Sequence, residues 1–340
     1  MKIIKKLNQY YNSFNMAEDY IERRIVVNNY PKVIAIELTN RCNYRCSFCP
    51  PFTRESGFMS EELLKHILDT TVFSNDIVQL HFHGESLLHP KLGKMIALCK
   101  KYKLAVGLST NASILNLEKS KDIISNGLDY LIIAFDGVSK EIYEKYRVNG
   151  NYDKVKKNVI DFLNYKESLG AKTPFVDLNV IKTNESVPLI DDYIKYWEKT
   201  SVNRITVKSF STRAGQIDGS ISSEDNWYFG ERIKRYPCDW FWTSVIILWD
   251  GRVVPCCHDM QGKLILGDIR KETLQQIWNN DLLQRIRLEE CENNHDREPC
   301  KYCNEWYGRP GNKIGYIIKT IKDKIQGEKI FKIVYEKIDK

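Results

Sequence analysis

Three cysteines near the start of the chain could bind a metal centre. Cys42, Cys46 and Cys49 have the spacing C-x3-C-x2-C, directly after an apolar run. Thiolates are soft ligands that select iron–sulfur clusters or zinc. A structural zinc ion needs four ligands, and no fourth Cys or His is close in the sequence. Three thiolates on a [4Fe–4S] cluster leave one iron open for chemistry, so the motif favours a cluster. Zinc completed by a distant ligand, or a redox thiol cluster, is the alternative.

Four cysteines in the last third of the chain could form a second centre. Cys300 and Cys303 are a C-x2-C pair, Cys256 ends a predicted hairpin, and Cys238 lies eighteen residues before Cys256. Together they offer four thiolates to one closed site, which suits a [4Fe–4S] cluster or a zinc ion. Cys99 falls in a predicted helix, and we expect it to be a buried apolar side chain.

Strand-like and helix-like segments alternate from about residue 33 to residue 210, and they must position these groups. The predicted strands are Val33–Leu38, Ile77–His83, Leu104–Ser109, Asp129–Phe135, Pro174–Lys182 and Arg204–Phe210. The predicted helices are Glu61–Phe73 with Ser60 as N-cap, Lys91–Tyr102, Leu117–Asn126, Lys140–Tyr146, Asp153–Leu169 and Val187–Thr200 with Ser186 as N-cap. Six strands joined by crossover helices predict a parallel α/β sheet, which binds ligands at the C-terminal ends of its strands.

The cysteine motif, with the aromatic Phe48 before its last cysteine, resembles that of the radical S-adenosylmethionine (SAM) superfamily. The resemblance covers roughly residues 33 to 210 and implies a partial (β/α)6 TIM-like barrel. It also implies that the open iron chelates the amino and carboxylate groups of SAM. Reductive cleavage of SAM would then give a 5′-deoxyadenosyl radical that abstracts hydrogen from a substrate.

Further polar motifs follow the predicted strands in the order that this family shows. His83-Gly84-Glu85-Ser86 resembles the family's Gly-Gly-Glu-Pro stretch but departs from it at His83 and Ser86. Ser109-Thr110-Asn111 resembles its Thr-Asn-Gly segment, Asp136-Gly137 its Asp-Gly, and Arg147 stands where relatives often place a carboxylate-binding arginine. The resemblance therefore assigns SAM binding to Phe48, Gly84, Glu85, Ser109, Asn111, Asp136 and Arg147.

The second cysteine set resembles the SPASM/twitch auxiliary domains of the same superfamily. The predicted hairpin around Asp250-Gly251, the Gly267-Asp268-Ile269 stretch and a predicted helix at Thr273–Glu289 are typical of them. This chain lacks the longer cysteine series of a full SPASM domain. We therefore expect one auxiliary [4Fe–4S] cluster, and two clusters plus SAM in all. Zinc at the auxiliary site is the alternative.

These patterns predict four segments. They are an N-terminal lead segment at 1–32, the barrel at 33–213, the SPASM/twitch domain at 214–308 and a basic amphipathic tail at 309–340. The resemblance to aminocyclitol-oxidising members implies oxidation of an alcohol carbon in a small, sugar-like substrate, possibly nucleotide-linked, with the auxiliary cluster as electron acceptor. Radical epimerisation, peptide modification and a non-enzymatic electron carrier are the alternatives.

Three residues are candidates for the reaction itself. Lys208 and Arg213, at the end of the sixth predicted strand, could contact an anionic or hydroxylated substrate; plain surface charge is the other interpretation. Cys257 could donate a hydrogen atom to a substrate radical, replace Cys256 as a ligand, or be a packed spare thiol, and Cys291 has no predicted role. The resemblance also implies a flavodoxin- or ferredoxin-type reductant as partner.

Composition limits the other partners. The net charge is +7, of which +4 comes from eight lysines and four acids between Lys313 and Lys340. The rest of the chain is nearly balanced, so no nucleic-acid partner is expected. No signal peptide and no apolar run of about 18 residues is visible, which predicts a reducing, cytoplasmic location. The tail is expected to pack on the body, with contact to a membrane surface as the alternative.

Overall fold

The computed structural model describes residues 2–74, 77–222 and 237–303, and the predicted tail at 309–340 lies outside the described residues. The strands are β1 (Val33–Ile36), β2 (Ile77–Gln79), β3 (Ala105–Thr110), β4 (Tyr130–Ala134), β5 (Phe175–Lys182), β6 (Arg204–Ser209), β7 (Ser244–Ile247), β8 (Arg252–Val254) and β9 (Gly267–Asp268). The α-helices are α1 (Lys2–Ile21), α2 (Glu61–Thr70), α3 (Leu92–Lys101), α4 (Leu117–Ser125), α5 (Lys140–Tyr146), α6 (Tyr152–Ser168), α7 (Ile190–Trp197), α8 (Trp240–Thr243), α9 (Leu274–Trp278) and α10 (Asp281–Cys291). None of the described helices is long and apolar enough to cross a membrane.

The described strands form one sheet in the order β6-β5-β4-β3-β2-β1-β7-β8-β9. Each neighbouring pair from β1 to β6 is parallel. This arrangement confirms the predicted α/β class, in which six crossover-connected strands form a partial barrel. The loops that follow these strands therefore meet at one edge of the sheet.

The C-terminal segment continues the barrel sheet. β7 pairs in parallel with β1, from Val33 opposite Ser244 to Ile36 opposite Ile247. β8 and β9 extend the sheet as antiparallel strands. Gly251 has a φ of 93° in the turn between β7 and β8, as the predicted hairpin requires. The C-terminal segment is thus fixed against the strand that precedes the first cysteine motif.

Helix starts follow local side-chain chemistry in some places but not in others. The Ser60 hydroxyl accepts a hydrogen bond from the Leu63 N–H at 3.0 Å and caps α2, as predicted. The prediction that Ser186 caps a helix is wrong. Its hydroxyl accepts from the Thr183 N–H at 2.7 Å and donates to the Ile181 carbonyl at 3.0 Å, so it closes the turn after β5. A short 3-10 turn then precedes α7.

The single helix predicted at Thr273–Glu289 is in fact two helices, α9 and α10. The Asn280 side chain accepts from the Leu283 N–H at 2.9 Å and caps α10. The Asn279 amide bonds both the N–H and the carbonyl of Val27, at 3.0 and 2.9 Å. Because this contact reaches a distant part of the chain, helix periodicity could not indicate the break.

Helix α1 occupies most of the lead segment, for which no element is predicted from the sequence. The Tyr20 hydroxyl donates to the Pro237 carbonyl at 2.7 Å. The buried Asp19 carboxylate accepts from the N–H groups of Asn28 and Asn29 at 2.8 and 3.1 Å. The helix therefore holds the N-terminal segment against the start of the C-terminal one.

Alternate residues of the parallel strands face the helices or the interior of the barrel. In β5, Val176, Leu178 and Val180 are fully buried in the main hydrophobic core. Asp177 and Asn179 alternate with them and are also buried. The inner face of the sheet therefore carries polar side chains where a packed core would carry apolar ones.

A buried ion pair joins the first cysteine loop to the hairpin. Glu37, directly after β1, is fully buried and accepts from both terminal nitrogens of Arg54, at 3.0 and 2.6 Å. The Arg54 Nε donates to the Met260 carbonyl at 2.7 Å, and the Trp249 N–H donates to Glu37 at 3.2 Å. One carboxylate–guanidinium pair thus connects β1, the loop and the C-terminal segment.

We expect Arg54→Met to lower the free energy of unfolding by about 3–5 kcal/mol, because it leaves the Glu37 carboxylate buried without a counter-ion. Urea denaturation of the anaerobic holoprotein, followed by circular dichroism, measures the change. Arg270→Met is the control, since it removes an ion pair to Asp268 whose arginine is largely exposed, and exposed pairs contribute little. Equal losses in the two variants would contradict the prediction.

Candidate active site

The first cysteine motif forms a loop between β1 and α2. The N–H groups of Arg45 and Ser47 donate to the carbonyls of Val148 and Tyr146, at 3.0 and 2.9 Å. These two bonds fix the loop to the C-terminal end of α5. The loop therefore lies at the edge of the sheet where the parallel strands end.

The three thiols of this loop share one electrostatic environment. Cys46 is buried, and Cys42 and Cys49 are half-buried. Burial raises the pKa of Cys42 to about 12 and also raises the pKa of Cys49, and the neighbouring thiols add to both shifts. Bound iron deprotonates such thiols. The Arg147 Nη1 donates to the Cys46 Sγ at 3.6 Å, so a cation is in place for an anionic cluster. These features fit a thiolate-bound [4Fe–4S] cluster.

Phe48 packs the first cysteine loop against two neighbouring aromatic rings. Its buried ring stacks on Tyr146 with 5.2 Å between centroids and meets Phe210 edge-on at 6.3 Å. The guanidinium of Arg147 lies 5.7 Å from the centre of the Phe48 ring. Phe48 thus anchors the loop to α5 and to the end of β6, and its predicted contact with SAM stays a prediction.

Gly84 lets the loop after β2 pack directly on the cysteine loop. Its φ is 144°, and a Cβ there would lie 2.5 Å from the Thr39 carbonyl oxygen and 2.9 Å from that of Arg41. The N–H of the next residue, Glu85, donates to the Arg41 carbonyl at 2.8 Å. A side chain at position 84 would therefore push the two loops apart.

The Glu85 carboxylate fastens the same loop to β3. One oxygen accepts from the Leu87 N–H at 3.0 Å and from the Thr110 hydroxyl at 2.8 Å, and the other accepts from the Asn111 N–H at 2.7 Å. Burial raises the pKa of Glu85. Since a carboxylate has about four acceptor positions, one is left for a donor such as the amino group of SAM.

Asn111 connects the end of β3 to the cysteine loop. Its Nδ2 donates to the Asn43 Oδ1 at 3.2 Å, and its Oδ1 accepts from the Ser113 N–H at 2.9 Å. The Asn43 Nδ2 in turn donates to the Ser113 hydroxyl at 2.7 Å. Ser109 lies two residues earlier, half-buried near the end of β3. The structure thus brings this predicted SAM segment to the loop that carries Cys42.

Asp136 and Arg147, each predicted to bind SAM, pair with one another. The Asp136 Oδ2 accepts from the Arg147 Nε at 2.9 Å and from its Nη2, while Oδ1 accepts from the Ile181 N–H at 2.7 Å. The third guanidinium nitrogen faces Cys46. These contacts favour a role for Arg147 in holding the cysteine loop, and its contact with the SAM carboxylate stays a prediction.

The four predicted auxiliary ligands come together in the structure. Cys238 interacts electrostatically with Cys256 and Cys303, and Cys256 interacts with Cys300 and Cys303. Burial, reinforced by these neighbours, raises the pKa of both Cys238 and Cys256. The set therefore fits a second thiolate-bound centre with all four ligands supplied by the protein.

Cys99 and Cys291 lie outside both sets. Cys99 is fully buried in the main core on α3, as predicted, and Cys291 ends α10 with its sulfur 4.0 Å from the Arg23 carbonyl.

Across the described ranges, no three Cys, His, Asp or Glu side chains converge tightly enough to hold a single metal ion. The ligands of a cubane bind different irons and so surround a larger volume.

Glu290 supports the auxiliary set. Its fully buried carboxylate accepts from the Cys238 N–H at 3.0 Å, and it bonds His295 at 3.0 Å and Arg297 at 2.7 Å. Burial alone would raise the pKa of Glu290, but the hydrogen bonds from His295 and Cys238 outweigh it and lower the pKa. This network ties Cys238 to the segment that leads to Cys300.

The residues Arg213–Gly215 form a left-handed turn after β6, with φ values of 53°, 60° and 76°. Such strain persists only where the surroundings hold the backbone. A Cβ on Gly215 would lie 2.9 Å from the Tyr302 Cβ, within the auxiliary C-x2-C pair. The Gln216 amide donates to the Arg213 carbonyl at 2.6 Å and to the His258 carbonyl at 2.8 Å. The auxiliary segment thus sets the position of Arg213.

Lys208 and Arg213 lie in the barrel opening near the first cysteine loop. Arg213 interacts electrostatically with Cys49 and with Lys208. The Lys208 side chain is exposed to solvent, yet desolvation by the surrounding protein lowers the pKa of its ammonium group. The Arg213 Nε is buried and has no hydrogen-bond partner among the described residues.

Cys257 faces the interior of the barrel. It is half-buried and packs on a small apolar cluster of Ile246, Leu248 and Val254, which is separate from the main core. Ala35 of β1 contacts the same cluster. This position is compatible with Cys257 as a hydrogen-atom donor and with Cys257 as a packed spare thiol.

Four residues of the site were not predicted: Glu37, Arg54, His81 and Asn179. Arg54 lies in an irregular loop and gives no signal in the sequence. Asn179, like Asp177, interrupts the apolar pattern of β5, and this break in the pattern was the available signal. The same holds for His81, which lies two residues after β2.

Two family models match the chain. The model of the radical SAM superfamily matches residues 36–168, and the model of SPASM, an iron–sulfur cluster-binding domain, matches residues 238–304. The first match spans β1 to the end of α6, and the second contains all four auxiliary cysteines.

The chain is similar to two curated proteins over most of its length. It is 25% identical to the tungsten-containing aldehyde ferredoxin oxidoreductase cofactor-modifying protein of Pyrococcus furiosus, covering 74% of this chain and 81% of that protein. It is 21% identical to the SAM-dependent 2-deoxy-scyllo-inosamine dehydrogenase of Niallia circulans, covering 84% of this chain and 98% of that protein. Among solved structures, Streptococcus suis SuiB bound to its precursor peptide SuiA has the same fold, with a TM-score of 0.64, 14% identity, and coverage of 85% and 72%.

Gly84→Ala is expected to lower SAM cleavage at least about tenfold, because the new methyl group would separate the two loops that it joins. Gly170→Ala is the matched control: Gly170 also has a positive φ, of 59°, but a Cβ there meets no atom within 4 Å. Release of 5′-deoxyadenosine from the reduced holoenzyme measures the effect. Similar rates in both variants would show that the close approach at Gly84 is not needed.

Iron analysis separates the two sites. We expect the wild type to hold about eight irons and the triple variant Cys42/Cys46/Cys49→Ala about four, since each [4Fe–4S] cluster contributes four. Cys291→Ala is the control and should keep about eight. Zinc at either site, or an unchanged iron content in the triple variant, would refute the assignment.

Proposed function

Because the chain belongs to the radical SAM superfamily and carries a SPASM domain, we propose that it oxidises an alcohol carbon of a small substrate to a ketone. The substrate class is a sugar, an aminocyclitol or a nucleotide-linked sugar. SAM and iron–sulfur clusters are the cofactors, and we assign one cluster to each cysteine set.

The observation that carries this proposal is the closed second cysteine set beside the barrel opening. Since all four thiols come from the protein, a cluster there has no open position for a substrate and is suited to electron transfer. The Arg213–Gly215 turn contacts Tyr302 of this set, while Arg213 interacts with Cys49 of the other set. A substrate near Arg213 would therefore lie next to both centres.

The similarity to the dehydrogenase supports the same reaction, because it extends over 98% of that protein's length. The name of the Pyrococcus relative instead concerns the cofactor of a tungsten enzyme. These two relatives differ in what they act on, so the substrate class rests on the side chains of this site.

The chain's own residues would hold SAM in place. Cys42, Cys46 and Cys49 would bind the first cluster, which together with SAM supplies the radical that abstracts a hydrogen atom. Glu85 would accept a hydrogen bond from the amino group of SAM at its remaining acceptor position. Asn111 would contact the nucleotide side, and the remaining predicted residues would shape this part of the pocket: Phe48, Gly84, Ser109, Asp136 and Arg147.

The substrate carbon loses a hydrogen atom, its hydroxyl loses a proton, and one further electron leaves as the C=O bond forms. We assign the proton to Lys208, since burial lowers the pKa of its ammonium group and so makes the amine form easier to reach. Arg213 would bind a second oxygen. The four-cysteine centre is assigned the electron.

Radical epimerisation is the second candidate, because Cys257 faces the interior of the barrel. There the S–H bond of Cys257 would break and return a hydrogen atom to the opposite face of the same carbon. The thiyl radical left behind would need an electron and a proton for the next turnover. In both reactions a flavodoxin- or ferredoxin-type reductant would supply the electron for SAM cleavage.

The reduced, anaerobic holoenzyme is expected to release about one 5′-deoxyadenosine per ketone from an active member of a panel of sugars, cyclitols and aminocyclitols. Cys257→Ala should leave ketone formation unchanged, and Cys99→Ala controls for loss of a buried thiol. If the product is an epimer, and Cys257→Ala abolishes it while SAM cleavage continues, the enzyme is an epimerase. If no 5′-deoxyadenosine forms with both clusters intact, the enzymatic interpretation fails.

A further inference from the structure

The inner face of β5 carries polar side chains at Asp177 and Asn179, and the next layer contains the Asp136 carboxylate, which bonds the Ile181 N–H. In the first layer, Asp177 accepts from Arg204 at 2.7 Å, from the Tyr130 hydroxyl at 3.1 Å and from the Thr206 hydroxyl at 2.7 Å. The layer above, which contains Asn179, is different. Asn179 is 3% exposed, yet neither atom of its side-chain amide has a hydrogen-bond partner among the described residues.

The third layer is again fully paired. The Asp136 carboxylate accepts from the Ile181 N–H and from Arg147. Unpaired buried amides cost free energy, and most native structures contain few of them. An unpaired layer between two paired layers therefore calls for a specific explanation.

The strands beside Asn179 offer it no partner. Its register neighbours are Ala134 of β4 and Thr206 of β6. Alanine has no polar side-chain atom, and the Thr206 hydroxyl is committed to Asp177. The polar atoms of Asn179 thus face the interior of the barrel.

His81 is a second unpaired group on the inner side. Leu80 before it is fully buried in the main core, so His81 points to the opposite face. Its Nδ1 is buried and has no partner in the described part of the chain. Burial, followed by the nearby charge of Lys208, lowers the pKa of His81 to about 4. The imidazole is therefore neutral at pH 7.

We propose that Asn179 and His81 form a subsite for adjacent hydroxyl groups of a cyclic polyol. The Asn179 amide offers one donor and one acceptor side by side, which matches two neighbouring hydroxyls, and His81 bonds a third oxygen. The subsite rests on the proposed function, since it names the substrate class of that same barrel. It orients the ring toward the first cysteine loop and Lys208.

The test compares Asn179→Leu with Asn12→Leu. The Asn12 amide is also buried, but both of its atoms bond the backbone of Tyr30, at 3.0 and 2.6 Å. Leucine at position 12 breaks these bonds and should lower the unfolding midpoint of the anaerobic holoprotein. Leucine at position 179 removes an unpaired amide and should keep or raise the midpoint.

The binding probes are myo-inositol, with a full ring of hydroxyls, and cyclohexanol, with one. We expect millimolar myo-inositol to raise the midpoint of the wild type and of Asn12→Leu, and cyclohexanol to have no such effect. In Asn179→Leu the affinity for myo-inositol should fall at least about tenfold, with SAM affinity unchanged. Asn179→Ser, which loses one of the two hydrogen-bonding groups, should show a smaller loss.

Three results would overturn the subsite. The first is that myo-inositol does not raise the unfolding midpoint of the wild type. The second is that it raises the midpoint of Asn179→Leu as much as that of the wild type. The third is that Asn179→Leu also loses affinity for SAM, which would assign the amide to SAM binding. A polyol that binds without forming a ketone would instead refute the proposed oxidation and leave the subsite standing.

Discussion

The ion pair between Glu37 and Arg54 is the constraint on which the arrangement of the two cysteine sets depends. Neither charge can remain buried without the other, so the loop that carries Arg54 is held at the end of β1. The same loop is pressed against Trp249 of the hairpin, because a Cβ on Gly57 would lie 2.2 Å from that ring. The first cysteine loop therefore has a defined position relative to the C-terminal segment. Such preorganisation is what a site for a reactive intermediate requires.

Each cysteine set has an arginine that is paired with a carboxylate and lies near a thiol. At the first, Arg147 is held by Asp136 and donates to Cys46. At the second, Arg297 is held by Glu290 and interacts with Cys300. In each case a carboxylate holds an arginine beside a cysteine thiol. The cation favours an anionic centre, and the carboxylate keeps the arginine from being an isolated charge when the centre is absent.

The confirmed predictions rest mostly on local signals, although the Ser186 cap, which was also local, was wrong. The Ser60 cap and the Asp250-Gly251 hairpin depend on residues near one another in the chain, and both were confirmed. The pairing of β7 with β1 and the break at Asn279 depend on contacts between distant segments. Periodicity does not encode such contacts, and the Asn280 cap of α10 was the local signal that could have indicated two helices instead of one. The roles assigned to Lys208, Arg213 and Cys257 stay predictions, because a resemblance indicates their place but not their chemistry.

The inner face of the barrel shows why pattern rules fail at a functional site. A parallel strand that is covered on both faces normally reads as a continuous apolar run. β5 departs from this rule at Asp177 and Asn179, yet it is one of the most regularly paired strands of the sheet. Asp177 is compensated by its own neighbours, whereas Asn179 is not. An apolar residue at position 179 would suit the fold better, so the asparagine is best explained by something that the barrel binds. Local inconsistency inside a well-formed strand thus points to function more directly than the strand's own stability does.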